Sequence, residues 1–407
     1  MINTNLLLLY TNLGAVNHSA NLRFAKYFNS HHIMIQIYAD NAATTRVSDA
    51  AFEAMRPWYK EEYSNASQTY SFSEKARKAI AEARALIAES IGAAPDEIVI
   101  TSGGAESDNW VIKNACLGTP ERTGIVTSSI EHHAILNACE FEREYRGRKI
   151  TLVPVTKEAL VREEDFARAI SPSDGLASIM LANNEVGTIE PIKELAAIAH
   201  SKGLLFHTDA VQAVGHIPID VKSLDVDFLS SSAHKFNGPK GIGFLYVRKG
   251  IKLPPCICGG AQEMGMRAGT ENVASIVGMS VALSENVKNL KESQERLLSL
   301  EKSLLSQLDE ANVNYRRNGA AVHTSGNISL SFEGFGGGML LHRLDLEGIC
   351  VSTGSACNSK DTQISHVLKA MNLDEDWAKG TIRISLGRYN TEEDVKAIAE
   401  AIIRIVR

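Results

Sequence analysis

Ile98-Val99-Ile100-Thr101-Ser102-Gly103-Gly104-Ala105-Glu106-Ser107-Asp108-Asn109 begins with a run of β-branched residues, breaks at two glycines and continues into helix-forming positions. It reads as strand, glycine turn, helix. Just upstream, Ile80, Ala83, Ile87 and Ile91 recur at spacings of 3, 4 and 4 and share one helical face. Downstream, short apolar runs predict strands at Gly124 to Ser128, Ile150 to Pro154, Ala177 to Ala182, Leu204 to Thr208, Val226 to Ser230 and Ile242 to Val247, mostly separated by helix-length segments. With Ile98 to Thr101 these make seven strands, and the rhythm predicts an α/β fold: a mainly parallel seven-stranded sheet with helices on both faces. In such sheets ligands bind outside the carboxyl ends of the strands.

At 407 residues the chain exceeds what one core usually covers, so two domains are expected. Residues 1–35 read as an N-terminal extension without periodicity, expected to be disordered, and Met34 stands directly before the first convincing strand. We assign 36–50 to a segment joining the small domain, 51–273 to a large cofactor-binding domain and 274–407 to a smaller α+β domain, opened by a leucine-bearing helical stretch from about Ala274 to Asn312. The last helix starts at Thr391, with three acids in its first turn and Val395, Ile398, Ile402 and Ile405 on one face.

A net charge of −6 with both signs interspersed offers no basic stripe for nucleic acid and no polybasic segment for a membrane, so neither partner is expected. Leu6 to Leu9 lack a preceding Lys or Arg, and no run approaches membrane-spanning length. Six irregularly spaced cysteines do not make a disulfide framework and point to a reducing compartment, with the cytoplasm as the expected location.

Candidate chemistry clusters at predicted strand ends. Ser232-Ala233-His234-Lys235, followed by Phe236-Asn237-Gly238-Pro239-Lys240-Gly241-Ile242-Gly243, sets one lysine between an apolar run and a Gly/Pro-rich turn. A lysine held still and partly dehydrated is a Schiff-base nucleophile for an aldehyde cofactor; a lone one more often snorkels to solvent. Leu204 to Gln212 deliver Asp209 at the end of another apolar run. Alone it suits a turn or a helix cap, but paired with Lys235 it suits the ring nitrogen of pyridoxal phosphate, whose electron sink needs a protonated pyridine. The Gly103-Gly104-Ala105 turn puts free N–H groups at a helix start, where a phosphate fits, and Ser232 can add a hydroxyl. After Ser128, the run Ile130-Glu131-His132-His133 offers an imidazole that can stack on a flat ring and shuttle protons. Two adjacent histidines without a correctly spaced third ligand argue against a metal there.

Together the segments YADNAATT from Tyr38, ITSGGAESDN from Ile100, EHHAI from Glu131, ANNEVGTIEPI from Ala182, HTDAVQ from His207, SAHKFNGPKGIG from Ser232, GMRAGTEN from Gly265, STGSAC from Ser352 and IRISLGR from Ile382 resemble the cysteine desulfurases. These are pyridoxal phosphate enzymes of the class-V aminotransferase group with the fold-type-I architecture, and the resemblance runs from about Tyr38 to the C-terminus. It implies that Lys235 bonds the cofactor aldehyde, Asp209 faces the pyridine nitrogen, Gln212 reaches the ring hydroxyl, His132 stacks over the ring and Asn184 lies beside cofactor and substrate. It further implies that Gly104, Ala105, Ser232 and His234 hold the phosphate, that Thr270 is contributed across a homodimer interface, and that Arg383 pairs with the substrate carboxylate, for which a guanidinium fork is well shaped.

Cys357 sits in a small, glycine-flanked polar segment, Ser352 to Thr362, suited to carry a thiol into a site and out again. The resemblance gives its role: with L-cysteine bound, the Cys357 thiolate attacks the substrate sulfur, leaving L-alanine and an enzyme persulfide, passed on to an acceptor such as an iron–sulfur scaffold protein. No resident metal is expected, and a transient iron–sulfur ligand is the sole metal role open to Cys357. The remaining cysteines read as structural, Cys256-x-Cys258 having no second pair. The chain departs from the family pattern at Ala105, where many relatives carry threonine, in Ser64 to Gln68 and at Tyr70. The rival readings are a selenocysteine lyase or other class-V enzyme, which would not need Cys357, and a non-catalytic binding homologue.

Overall fold

In a computed structural model of the chain, which describes residues 36–117, 121–353 and 364–407, the seven expected strands form one sheet. The first strand of the chain, β1 (Ile37–Tyr38), lies outside it. The sheet takes β2 (Ile98–Thr101), β3 (Gly124–Ser128), β4 (Ile150–Val153), β5 (Asp174–Ser178), β6 (Leu205–Asp209), β7 (Phe228–Ser232) and β8 (Gly243–Val247), in the order β2-β8-β7-β6-β5-β3-β4. The neighbours from β7 to β4 pair in parallel, whereas β8 is antiparallel to both β7 and β2. Two successive reversals restore the direction, so β2 runs the same way as β7. The carboxyl ends of β2, β3, β6 and β7 therefore share one edge, and that edge carries the candidate site.

Strands β2, β3, β5, β7 and β8 are buried along their whole length, as continuous apolar and small-residue runs covered on both faces should be. One face carries the helices Glu74–Ser90 and Val273–Lys288 in a core with Ile80, Ile87, Phe206, Phe236 and Met279. The other carries Gly104–Asn114 and His133–Arg146, packing Trp110, Ile112, Ile135 and Cys139 against Ile125 and Phe228. Strand β5 starts earlier than the apolar run Ala177 to Ala182 predicts, because Asp174 pairs with Gly124 of β3 despite its polarity, with Gly175 at a register shift before Leu176 pairs with Ile125. The backbone still bonds β6 beyond the strand, through Ile179 N–H to His207 O and Leu181 N–H to Asp209 O.

A second core gathers Leu300, Leu304, Ile328, Leu330, Ile382, Ile384, Ile398 and Ile402 around an antiparallel sheet. Its strands are β9 (Arg316–Asn318) and β10 (Asn327–Ser331), with β11 (Ile349–Cys350) pairing separately with β1 and β12 (Thr381–Ser385) completing the order β12-β10-β9. Helix Val273–Lys288 packs on the first core and helix Leu290–Glu310 on the second, so the change of core falls at Asn289. The last helix, Glu392–Val406, starts in a capping box between Thr391 and Asp394. Among the described residues no helix is long and apolar enough to cross a membrane.

Candidate active site

Lys235 closes a single helical turn, Ala233–Lys235, that follows β7. Its Nζ donates to Ala42 O at 2.6 Å and Ala43 O at 2.9 Å, carbonyls of the turn after β1. Burial pulls its pKa down to about 8, the positive charge of Arg383 adds to the fall, and Asp209 and Asp40 oppose it. The amine is thus both fixed and unusually ready to lose its proton.

Asp209 ends β6 and is 4 % exposed. Its Oδ1 accepts the Val211 N–H at 2.9 Å, while burial pushes its pKa up against the pull of His132 and Lys235. Carboxylate and lysine thus stand within electrostatic reach across the edge. His132 caps the helix His133–Arg146, and its Nδ1 accepts the Ala134 N–H at 3.1 Å, which leaves the ring proton on Nε2. Burial lowers the pKa of His132, with Asp209 opposing and Lys235 and the neighbouring histidines adding to the fall. Gln212 Nε2 donates to Ala42 O at 2.9 Å, the carbonyl that Lys235 also engages.

After β2 the chain turns at Gly103, whose φ of +145° only glycine adopts freely, and Gly104 opens the helix. A Cβ on Gly104 would stand 2.5 Å from Val211 Cγ2, so the turn packs this close to the Val211 side chain, two residues past β6, because residue 104 lacks a side chain. Ser232 Oγ lies 3.3 Å from the position of a Gly103 Cβ, which sets its hydroxyl against the same turn. The first helical N–H groups at Gly104 and Ala105 belong to the turn that no helix can satisfy internally. Ala105 brings no hydroxyl. His234 Nδ1 is 3.1 Å from Thr44 Oγ1, and burial, then Lys235 and Lys240, pulls its pKa down to about 4. Thr270 is exposed and lines a cleft with Ser102, Gly241 and Arg267.

Arg383, on β12, comes from the second core. Its Nη1 donates to Asn184 O at 2.8 Å and its Nη2 to Asp40 Oδ1 at 2.6 Å. Asn184 thus meets the site through its carbonyl, on the buried stretch that follows β5. Cys357 lies outside the described residues. The flanks of its segment do not: Ser352 and Arg383 exchange backbone hydrogen bonds, Ser365 Oγ donates to Glu185 Oε2, and His366 Nε2 donates to Glu131 O at 2.9 Å with its ring 4.8 Å from that of His133. The chain leaves beside Arg383 and returns beside the His132–His133 turn.

Several contributors are absent from the motif reading. Asp40 and the Ala42 and Ala43 carbonyls were within reach of it, since they lie in the quoted Tyr38 to Thr45 segment. Below Asp209, His207 is wholly buried between Ser178 Oγ (2.8 Å) and Ser230 Oγ (2.9 Å), and Asp108 Oδ1 is 3.7 Å from its Nε2. Burial holds His207 neutral, its pKa lowered to about 3, and raises that of Asp108. Glu131 is likewise buried and raised to about 8, taking the Ser128 hydroxyl and the Met180 N–H. Of the other cysteines, Cys116 and Cys139 are buried with thiols pushed up to about 11 and 12, and Cys258 is exposed. Among the described residues no group of three or more His, Cys, Asp or Glu is arranged to hold a metal.

A one-directional strand edge that gathers lysine, carboxylate and a glycine-opened helix start is the hallmark of the fold-type-I class of pyridoxal phosphate enzymes. The aminotransferase class-V family model matches residues 37–398. The chain is 46 % identical over 373 residues to a cysteine desulfurase IscS of Dictyoglomus turgidum, covering 91 % of this chain and 94 % of that one. It is 44 % identical over 372 residues to a cysteine desulfurase IscS of Methanosarcina thermophila, covering 91 % and 92 %. Among solved structures, a NifS-like protein superposes with a TM-score of 0.85 at 38 % identity, covering 91 % of this chain and 99 % of that one. A structure described as SspA in complex with cysteine gives a TM-score of 0.78 at 36 % identity, covering 87 % and 100 %. The chain therefore belongs to the class-V aminotransferases and, within them, to the cysteine desulfurase family.

Proposed function

We infer that the protein is a pyridoxal 5'-phosphate-dependent cysteine desulfurase that removes sulfur from L-cysteine as a persulfide on Cys357 and releases L-alanine. The observation that carries this reading is the amine of Lys235, immobilised at the strand edge with its pKa lowered to about 8 and within electrostatic reach of the buried carboxylate of Asp209.

The residues present fit the cofactor. Gly104 leaves the space that a Cβ would fill, the adjoining helix start and Ser232 suit a phosphate, and Asp209 is a buried carboxylate with a single N–H from Val211 on Oδ1. Lys235 would take the aldehyde, Asp209 the pyridine nitrogen, Gln212 the ring hydroxyl, and Gly104, Ala105, Ser232 and His234 the phosphate. When bound, the cofactor supplies an electron-withdrawing ring that stabilises negative charge on the substrate carbons.

The chain's own residues do the rest. Arg383 holds the substrate carboxylate, with Asn184 beside it. Lys235 and His132 accept and return protons, since burial leaves both with pKa values below their usual ranges. The Cys357 thiolate forms an S–S bond to the substrate sulfur as the Cβ–S bond breaks; the carbon fragment keeps the electron pair, takes up protons and leaves as L-alanine. From Thr353, four residues can span at most about 14 Å, a reach that suits a thiol serving Arg383's neighbourhood.

A homodimer, with Thr270 completing the phosphate site of the second copy, completes the reading. The exposed aromatics Phe52, Tyr59, Tyr63 and Tyr70 support a partner surface before the helix Glu74–Ser90. The persulfide sulfur would pass to an acceptor protein such as an iron–sulfur scaffold.

Purified protein incubated with L-cysteine and a reductant is expected to form alanine and sulfide, Lys235→Ala to form neither, and Cys357→Ser to lose turnover. Equal turnover by all three proteins would end the reading, and turnover surviving only in Cys357→Ser would favour a class-V enzyme of another kind.

A further inference from the structure

The guanidinium of Arg383 already has a carboxylate on it, and that carboxylate belongs to the chain. Asp40 Oδ1 sits 2.6 Å from Nη2 and the Asn184 carbonyl 2.8 Å from Nη1, while the buried Nε has no hydrogen-bond partner among the described residues. The side chain of Arg383 is 5 % exposed and that of Asp40 20 %, so the aspartate stands on the solvent side of the pair. A carboxylate arriving from solvent meets Asp40 before it meets the fork. Two carboxylates cannot crowd one guanidinium edge without strong mutual repulsion.

The geometry points to Asp40 as a built-in competitor, a positioning and specificity residue whose carboxylate occupies the substrate-carboxylate position on Arg383 and leaves it as substrate binds. This rests on the reading of Arg383 as the partner of the substrate carboxylate. The physical gain is twofold. A buried guanidinium without a partner is strongly unfavourable, so Asp40 keeps Arg383 paired and aimed. Displacement also makes binding depend on a competing carboxylate, so an amine lacking one gains nothing from the fork. Asp40 lies one residue before the turn whose Ala42 and Ala43 carbonyls hold Lys235, so both functional cations are held by the same short stretch.

The test uses cofactor-loaded protein, with L-alanine as a ligand that carries the carboxylate and L-alaninamide as one that does not. Binding is read from the visible absorbance of the bound cofactor. In Asp40→Asn the Kd for L-alanine should fall about fivefold or more, that for L-alaninamide should stay within about twofold, and L-alanine should raise the unfolding midpoint further than in the unaltered protein. Asp40→Glu, which keeps the competing charge, should stay within about twofold for both ligands. If Asp40→Asn does not fold, Asp40→Ser should tighten L-alanine in the same way.

Structural damage alone would weaken both ligands together. If the neutral variants bind L-alanine no more tightly than the unaltered protein while Arg383→Met loses it, the competitor role is wrong and the reading of Arg383 stands. If Arg383→Met binds L-alanine as the unaltered protein does, the reading of Arg383 fails instead, and the competitor role with it.

Discussion

The strand edge that holds Lys235 and Asp209 and the contact that holds Arg383 supply one site by opposite means. On the edge, each group ends or closely follows a buried strand whose ladder runs through the large core, and the parallel pairing of β6 with β7 sets the two side by side. Around the guanidinium of Arg383, Asp40 and the carbonyl after β5 are held by one ion pair and one hydrogen bond, across a sequence separation of 343 residues for the pair with Asp40, while the backbone beside Asp40 is tied separately to Ser385 of β12. The first arrangement is rigid because moving either group means breaking a sheet. The second is exchangeable because a side chain can leave without disturbing any ladder. On the proposed reading, groups that hold a cofactor gain from the first, and a group that accepts and releases a substrate gains from the second.

The sharpest way to break this contrast is to remove one group from each region. Lys235→Ala should lower turnover of L-cysteine by roughly three orders of magnitude or more, and saturating substrate should not restore it. Arg383→Met should lower kcat/KM by about 10- to 100-fold, chiefly through KM, because it removes binding more than chemistry. Steady-state kinetics on both variants check the pair; a pure KM effect from Lys235→Ala would dissolve the distinction.

A smaller effect probes the rigidity of the edge. Gly104→Ala puts a Cβ 2.5 Å from Val211 Cγ2, so the Val211 side chain or the turn must shift, and affinity for pyridoxal phosphate should fall about tenfold in a spectral titration. Unchanged affinity would mean that the edge yields more readily than its buried strands imply.

The smallest effect links the regions electrostatically. Because burial and Arg383 lower the pKa of Lys235 to about 8, the neutral amine grows as pH rises, and cofactor uptake by stripped protein should accelerate with a midpoint near 8. Arg383→Met removes one of the two causes of that depression, so the midpoint should move upward while remaining below the usual lysine range. Stopped-flow absorbance across pH 6 to about 10 measures both.

Most of the strand edge was readable from local pattern. Buried parallel strands are apolar on both faces, so Leu204 to Thr208 and Val226 to Ser230 announce themselves, and the residues that end them fall at the site because ladder direction puts them there. The start of β5 was not readable, since Asp174 and Gly175 lack the apolar signal and Asp174 is recruited by pairing with Gly124 of β3. Nor was the polar layer of His207, Ser178, Ser230 and Asp108, because a buried polar residue has no periodic signature until its neighbours on other elements are known. The motif containing Asp40 was visible, but its partner was not.

The order of residues along the chain determined the α/β rhythm, the lysine after an apolar run, the aspartate at a strand end and the glycines that open a helix, because each depends on neighbours a few positions away. Tertiary structure alone decided that β8 inserts antiparallel between β2 and β7, that carbonyls after β1 hold the amine of Lys235, and that Asp40 sits on Arg383. The last two contacts join residues 193 and 343 positions apart, and only the packing of two cores against a common turn brings them within hydrogen-bonding distance.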